Sequence, residues 1–192
     1  LMLAQQVAEF GGSVANSSHV ADDLTQLGSY VAEALGTVDV LITIGGVSMG
    51  DKDYLPKVFA DAGVQEMFHK VAMRPGKPIW VGHCQSTIVV GLPGNPVSSF
   101  VGASLFVRPI VDAFLGNFSR RTKPQQAISG CAFQSKARYD FVLADYDSNG
   151  RIFATNSSGS ADWRSLSASK VLAMVPPNSI IDAGDHIEVI PV

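Results

Sequence analysis

Apolar residues recur at helical spacing over the first ten positions (Leu3, Val7, Phe10), and Gly11-Gly12 supplies a stop, so a helix is predicted over residues 1–10. Residues 13–20 are predicted as a short strand. Asp22 stands where a helix N-cap is needed. Leu24, Leu27, Val31 and Leu35 form the apolar face of the helix that follows, and Gly36 ends it. Then comes V-D-V-L-I-T-I (38–44), a nearly continuous apolar run of the kind shown by a strand covered on both faces, closed sharply by Gly45-Gly46. The spacing predicts a helix over about residues 53–62, stopped by Gly63, and a strand over 64–73. Two apolar runs, 79–82 and 87–92, flank a polar turn and predict a hairpin. Asn95-Pro96 opens a long helix reaching about Leu115, which Pro109 must kink or divide.

Past Gly116 the texture changes. Residues 117–124 are polar and basic (N-F-S-R-R-T-K-P) and read as a linker. Short β-like runs follow at 127–133, 139–144, 151–155, 171–175 and 186–192. They are separated by turn chemistry such as D-S-N-G (147–150), P-P-N (176–178) and D-A-G-D (182–185). The expected organisation is an α/β domain over 1–116, a mostly parallel sheet with covering helices, and then a small β domain over 125–192, barrel-like in pattern.

Composition narrows the function classes. Of 192 residues, 46% are apolar and 16% charged, enough to bury a core and too apolar for a disordered chain. The net charge of −3 places nucleic-acid binding behind other classes. Cys84 and Cys131 are too few for a disulfide framework and lack zinc-ligand spacing, so a reducing, cytoplasmic setting is the expectation. The chain opens Leu1-Met2-Leu3 without a signal-peptide pattern and reads as one entered partway along, so a fragment is expected. The apolar stretch 100–115 contains Arg108, Pro109 and Asp112 and is too short and interrupted to predict a membrane span.

Three stretches can carry chemistry. G-G-V-S-M-G-D-K-D (45–53) joins the end of a buried strand to a helix. Gly45, Gly46 and Gly50 allow close backbone approach to an oxyanion, Ser48 adds a hydroxyl, and Asp51 and Asp53 add hard oxygen ligands suited to Mg²⁺. A tight strand-to-helix turn with Asp53 as N-cap explains the same pattern. H-K-V-A-M-R-P-G-K-P (69–78) clusters Lys70, Arg74 and Lys77. Lys70 and Arg74 share strand parity, and Arg74 has the geometry to grip phosphate bidentately. A solvated basic turn is the plainer reading, and His69 reads as structural. G-L-P-G-N-P (91–96) brings Pro93, Gly94, Asn95 and Pro96 to another strand end and helix start, a place that favours anions and also a well-capped helix. No Ser-His-Asp or Cys-His pairing can be argued, and Cys84 has no neighbour that would activate it.

At these stretches, G-G-V-S-M-G-D-K-D-Y (45–54), F-H-K-V-A-M-R-P-G-K-P (68–78) and G-L-P-G-N-P-V-S (91–98), continuing into L-F-V-R-P-I-V (105–111), the sequence resembles the molybdopterin molybdenumtransferase family, whose animal relative is the gephyrin E domain. The likeness is strong from Asp22 to Gly116 and weak afterwards. It implies a three-layer molybdopterin-binding-like α/β domain. It also implies insertion of molybdate into the dithiolene of adenylylated molybdopterin, with Mg²⁺-dependent release of AMP. Carried over by residue, the resemblance implies catalytic roles for Asp22, Asp53, Lys70 and Arg74, the last standing where relatives often have lysine. By their own chemistry Asp51 or Asp53, with Asp22 as a further candidate, can hold the Mg²⁺, and the resemblance implies Arg138 and Ser160 as polar site residues of the β part, on a looser match. It further implies a small-molecule substrate, a homodimer, no nucleic acid or membrane partner, and little activity from the segment alone, because relatives are about twice as long. Two rival readings stand. One is the related molybdopterin adenylyltransferase, whose loop is usually G-G-T-G followed by an Arg-Asp pair, unlike residues 45–53 here. The other is a gephyrin-like scaffold, which would not need the acidic and basic loop groups.

Overall fold

In the computed structural model, which describes residues 2–47, 54–117, 123–155 and 163–192, the first helix, α1 (Met2–Glu9), forms where the apolar spacing placed it. The strand expected over 13–20 does not form. Only Val14, Ala15 and Val20 are apolar there, Val14 stays 43% exposed, and among the described residues no strand pairs with the segment. Helix α2 (Leu24–Ala34) is capped by Asp23 rather than Asp22, its carboxylate accepting from the Gln26 N–H at 2.8 Å. The face is also narrower than expected, since Val31 is buried while Leu24 is exposed.

Strand β1 (Val40–Ile44), helix α3 (Leu55–Asp61), strands β2 (Gln65–His69), β3 (Met73–Arg74), β4 (Trp80–Cys84) and β5 (Thr87–Leu92) follow. β1, β5, β4 and β2 form one sheet in that order. The β4–β5 hairpin is as expected, closed at Cys84↔Thr87. It makes the sheet mixed instead of mostly parallel: β1–β5 is parallel, β4–β5 and β2–β4 antiparallel. Three layers do result. Val81, Val90 and Leu92 pack one face against α1 and the long helix, with Val40 and Ile42 beside them, while Trp80 and Val89 pack the other against α2 and α3, with Leu41 at its margin. β1 lies at the edge of the sheet and is only half-buried, with Ile44 59% exposed, so its coverage is less complete than its apolar run predicts.

The expected strand over 64–73 is cut in two. Lys70 adopts a left-handed backbone (φ +70°) and its N–H bonds back to Ile79 O at 2.8 Å, which turns the chain out of the sheet. Lys70 and Arg74 therefore belong to different elements, and the parity argument that paired them fails.

The long helix is interrupted as Pro109 requires. α4 (Pro96–Gly102) passes through one π-helical turn (Ala103–Val107) into α5 (Arg108–Phe114), which has Pro109 in its first turn. The Phe100 carbonyl is satisfied by the Ser104 hydroxyl (3.1 Å) and by Gln6 Nε2 (3.3 Å), so α1 is stitched to the interruption. The run from Pro96 to Phe114 is long and apolar enough for a membrane span by length and composition. Its apolarity is explained by packing: Val101, Ala103 and Val107 are fully buried between the sheet and the second part of the chain.

That second part contains β6 (Gln125–Ser129), β7 (Phe133–Gln134), β8 (Tyr139–Tyr146), β9 (Arg151–Ala154), α6 (Trp163–Ala168), β10 (Val171–Val175), β11 (Ile180–Ile181) and β12 (His186–Pro191). The order β10-β12-β6-β9-β8, with β8 also pairing β10, closes a small barrel around Ile152, Ala173, Ile187 and Val189. The linker expected over 117–124 falls mostly outside the described residues. The two parts are nonetheless joined: β3 adds to the barrel as a parallel neighbour of β8 (Met73↔Tyr139, Arg74↔Asp140). Met73, Val97 and Val101 share one core with Leu143, Leu172 and Ile190.

The turn between β8 and β9 supplies a pH-dependent test. N–H groups of Arg151 and Asn149 donate to the Asp147 carboxylate (2.8 Å each), and these bonds hold its pKa below the ordinary 3.8. A depressed pKa stabilises the fold above the unfolded value and loses that contribution as pH falls through the folded one. Asp147→Ala is therefore expected to melt below wild type at about pH 6 and to converge on it toward about pH 2.5, as followed by thermal unfolding.

Candidate functional site

β1 and β5 are parallel, and β2 runs the same way because two antiparallel pairings separate it from β5. The carboxyl ends of β1, β2 and β5 therefore emerge on one edge of the sheet, the place where open α/β sheets hold ligands. These are the ends that carry the three candidate stretches.

The stretches touch one another pairwise. Gly45 N–H donates to Leu92 O at 2.8 Å, and a Cβ on Gly94 would stand 3.5 Å from Gly45 Cα, so the first and third turns lie backbone to backbone. His69 Nε2 is 3.1 Å from Val47 O, joining the first and second. A Cβ on Gly76 would be 3.6 Å from Ser98 O, so the second rests against the start of α4. The first turn also closes on itself, Leu55 N–H donating to Gly46 O at 3.3 Å. Gly46 is held at φ +68° with Leu55 Cδ1 3.0 Å from where a Cβ would sit, so glycine is needed there on both counts. Gly91 matters by close approach: a Cβ would meet Val47 Cγ1 at 2.6 Å and Trp80 Cβ at 3.3 Å.

The residues expected at the site fall into groups. Gly45 and Gly46 form the first turn. Pro93 is buried, and Asn95 caps α4 through its side-chain oxygen, accepting from Val97 N–H (3.1 Å) and Ser98 N–H (3.2 Å), with Pro96 in the first helical position and Gly94 exposed beside them. Lys70 and Lys77 are exposed at the two ends of a turn closed by Val71 N–H to Lys77 O at 3.0 Å. Arg74 is committed elsewhere: its Nη2 pairs with the buried Asp140 carboxylate in the barrel, which leaves half of its side chain exposed. Arg138 reaches the same strand, donating to Met73 O at 3.3 Å. Asp22 is exposed beside the start of α2, and no hydrogen bond or ion pair joins it to the turns among the described residues. Ser48, Gly50, Asp51, Asp53 and Ser160 lie outside the described residues. No cluster of three or more His, Cys, Asp or Glu able to hold a metal occurs among the described residues.

Gly91, His69 and Asp140 belong to this geometry although the sequence reading gave none of them a site role. The signal for Gly91 was its place at a strand end; for Asp140 it was an acid at the entry to an apolar run. A groove of about 330 Å³ between α2 and α3, lined by Leu24, Gly28, Lys57 and Asp61, includes none of the turn residues.

The fold and its gathered strand-end turns define an α/β domain built to present backbone at one edge of a sheet. The chain belongs to the family described as the probable molybdopterin binding domain, whose model matches residues 1–113. It is 41% identical over 116 residues to a molybdopterin molybdenumtransferase of Bacillus subtilis (strain 168), covering 60% of this chain and 27% of that protein. It is 43% identical over 95 residues to a protein of the same name from Staphylococcus aureus (strain Mu50 / ATCC 700699), covering 50% of this chain and 23% of the other. The matched stretches thus span about a quarter of the length of these curated relatives. The structure of a molybdopterin biosynthesis moeA protein from Pyrococcus horikoshii OT3 superposes with TM-score 0.78 at 23% identity, covering 100% of this chain and 45% of that one, and so shares the fold of both parts.

Proposed function

We propose that the full protein containing this segment is a molybdopterin molybdenumtransferase, which inserts molybdate into adenylylated molybdopterin and releases AMP in the last step of molybdenum cofactor synthesis. The observation that carries this reading is the pairwise meeting of three turns at the carboxyl ends of β1, β2 and β5, with Lys70 and Lys77 exposed at the two ends of the second. Both reactants are anions. Amides fixed by strand ends and a capped helix bind oxyanions without reorganising, and the lysines add charge. The names of the relatives point to the same chemistry.

Mg²⁺ fits the donor set of the first turn: Asp51 and Asp53 supply hard carboxylate oxygens within a segment whose flanking residues, Gly46 and Leu55, are hydrogen-bonded to each other. Bound there, it would neutralise phosphate charge. The remaining work falls to the chain itself: the amides and lysines hold the anions, and Asn95 keeps the start of α4 in place. A homodimer completing the site is part of this reading, as is a cytoplasmic location.

The test is complementation of a cofactor-deficient strain by the full-length protein. Wild type is expected to restore a molybdenum enzyme's activity, and Asp53→Ala to abolish that restoration while leaving expression and any binding to partner proteins intact. Cofactor formation that survives Asp53→Ala overturns the site assignment, and failure of wild type to complement overturns the function.

A further inference from the structure

We propose that His69 is a positioning residue that latches the first glycine turn across the sheet; its role in ligand binding rests on the function proposed above. The strand order β1-β5-β4-β2 puts His69, the last residue of β2, at the opposite edge from β1. Val47, just after β1, nevertheless meets its ring, because the chain passes over Gly91 with no Cβ in its way. His69 is itself fixed by its pairing with Trp80 and by the turn at Lys70 that follows.

The chemistry of the contact is defined. Val47 is 1% exposed, and a buried carbonyl without a partner is costly. Its partner among the described residues is the His69 ring at 3.1 Å. A carbonyl only accepts, so Nε2 carries the proton and donates. The next residue along is Ser48, the start of the segment holding Asp51 and Asp53. The backbone tie at the other side of that segment, Leu55 N–H to Gly46 O, is long at 3.3 Å. The imidazole thus holds Val47, the residue that precedes the acidic segment in sequence, and it stands one residue before Lys70.

The experiment compares wild type, His69→Phe (ring kept, donor lost) and His69→Gln (donor kept at similar reach). Three readouts are used: amide hydrogen exchange at Gly45, Gly46 and Val47 by NMR, the dissociation constant for molybdate and for inorganic phosphate, and the urea midpoint. His69→Phe is expected to speed exchange at the turn and weaken molybdate binding, each by roughly five- to tenfold, the scale of one ordinary hydrogen bond. The urea midpoint should fall by no more than one such bond accounts for, and His69→Gln should return both turn readouts toward wild type. In the full-length protein the loss should appear in KM more than in kcat. Unchanged turn exchange in His69→Phe overturns the proposal, as does exchange that rises equally throughout the sheet, or a His69→Gln variant that behaves like His69→Phe. If the full-length wild type binds neither anion while His69→Phe still loosens the turn, the latch stands and the proposed function falls. If wild type binds molybdate and His69→Phe binds it equally well, the function stands and the latch falls.

Discussion

Arg74→Ala is expected to lose about 3 kcal/mol of stability, read from urea unfolding of this chain. The reason lies in the asymmetry of the pair. Asp140 is almost wholly buried (side chain 3% exposed), whereas Arg74 is 52% exposed. Removing the guanidinium strands a carboxylate inside the barrel wall, while removing the carboxylate leaves an arginine that water can still solvate. Asp140→Asn is therefore expected to cost about 1 kcal/mol, close to one hydrogen bond. The double variant should be more stable than Arg74→Ala alone, because the unpaired buried charge is gone. Equal losses for the two single variants would show that burial of Asp140 is not what sets the energetics. A large loss for Arg74→Ala assigns this residue first to joining the sheet domain to the barrel, with anion contact left to its exposed nitrogens.

Gly91→Ala is expected to cost about 2 to 3 kcal/mol, at the upper end for one methyl forced into a packed site. The added Cβ would overlap Val47 Cγ1 at 2.6 Å and press on Trp80 Cβ at 3.3 Å. Trp80 cannot yield easily, being 1% exposed, packed against Phe59 in a tilted pair with ring centroids 4.6 Å apart, and donating its indole N–H to Glu66 at 2.8 Å. Val47 must move, and the Gly45–Val47 turn moves with it. The variant should therefore show displaced Gly45 and Gly46 amide resonances and weakened molybdate binding, beyond what its lower urea midpoint explains. A variant that is destabilised but keeps wild-type turn resonances would mean that Val47 rearranges without carrying the backbone.

Much of this architecture was readable from residue patterning, and the misses share a cause. Runs such as 87–92 and 171–175 announce themselves because their own side chains supply the burial that makes them strands. β3 is two residues long and is a strand only because Asp140 and Tyr139 lie alongside it. The turn at Lys70 depends on the carbonyl of Ile79, and the cap by Asp23 instead of its neighbour Asp22 depends on where α2 begins relative to Gln26. The partners of β3 and of the Lys70 turn lie beyond a short local window, and the choice between Asp22 and Asp23 turns on a one-residue difference in where the helix begins. The candidate site was legible as three glycine or basic turns, since each carries its own turn chemistry. What tied them together, the cross-sheet reach of His69 and the bare backbone at Gly91, is tertiary, and only the place of Gly91 at a strand end hinted at it.

The pairing of β3 with β8 reaches beyond packing. The barrel is attached to the sheet domain at a point some fifty residues earlier in the chain than the covalent connection between them. A hinge at that connection is thereby denied its swing: the orientation of Arg138 toward the basic turn is dictated by a two-residue graft and a common oily seam, whatever the length or composition of the tether.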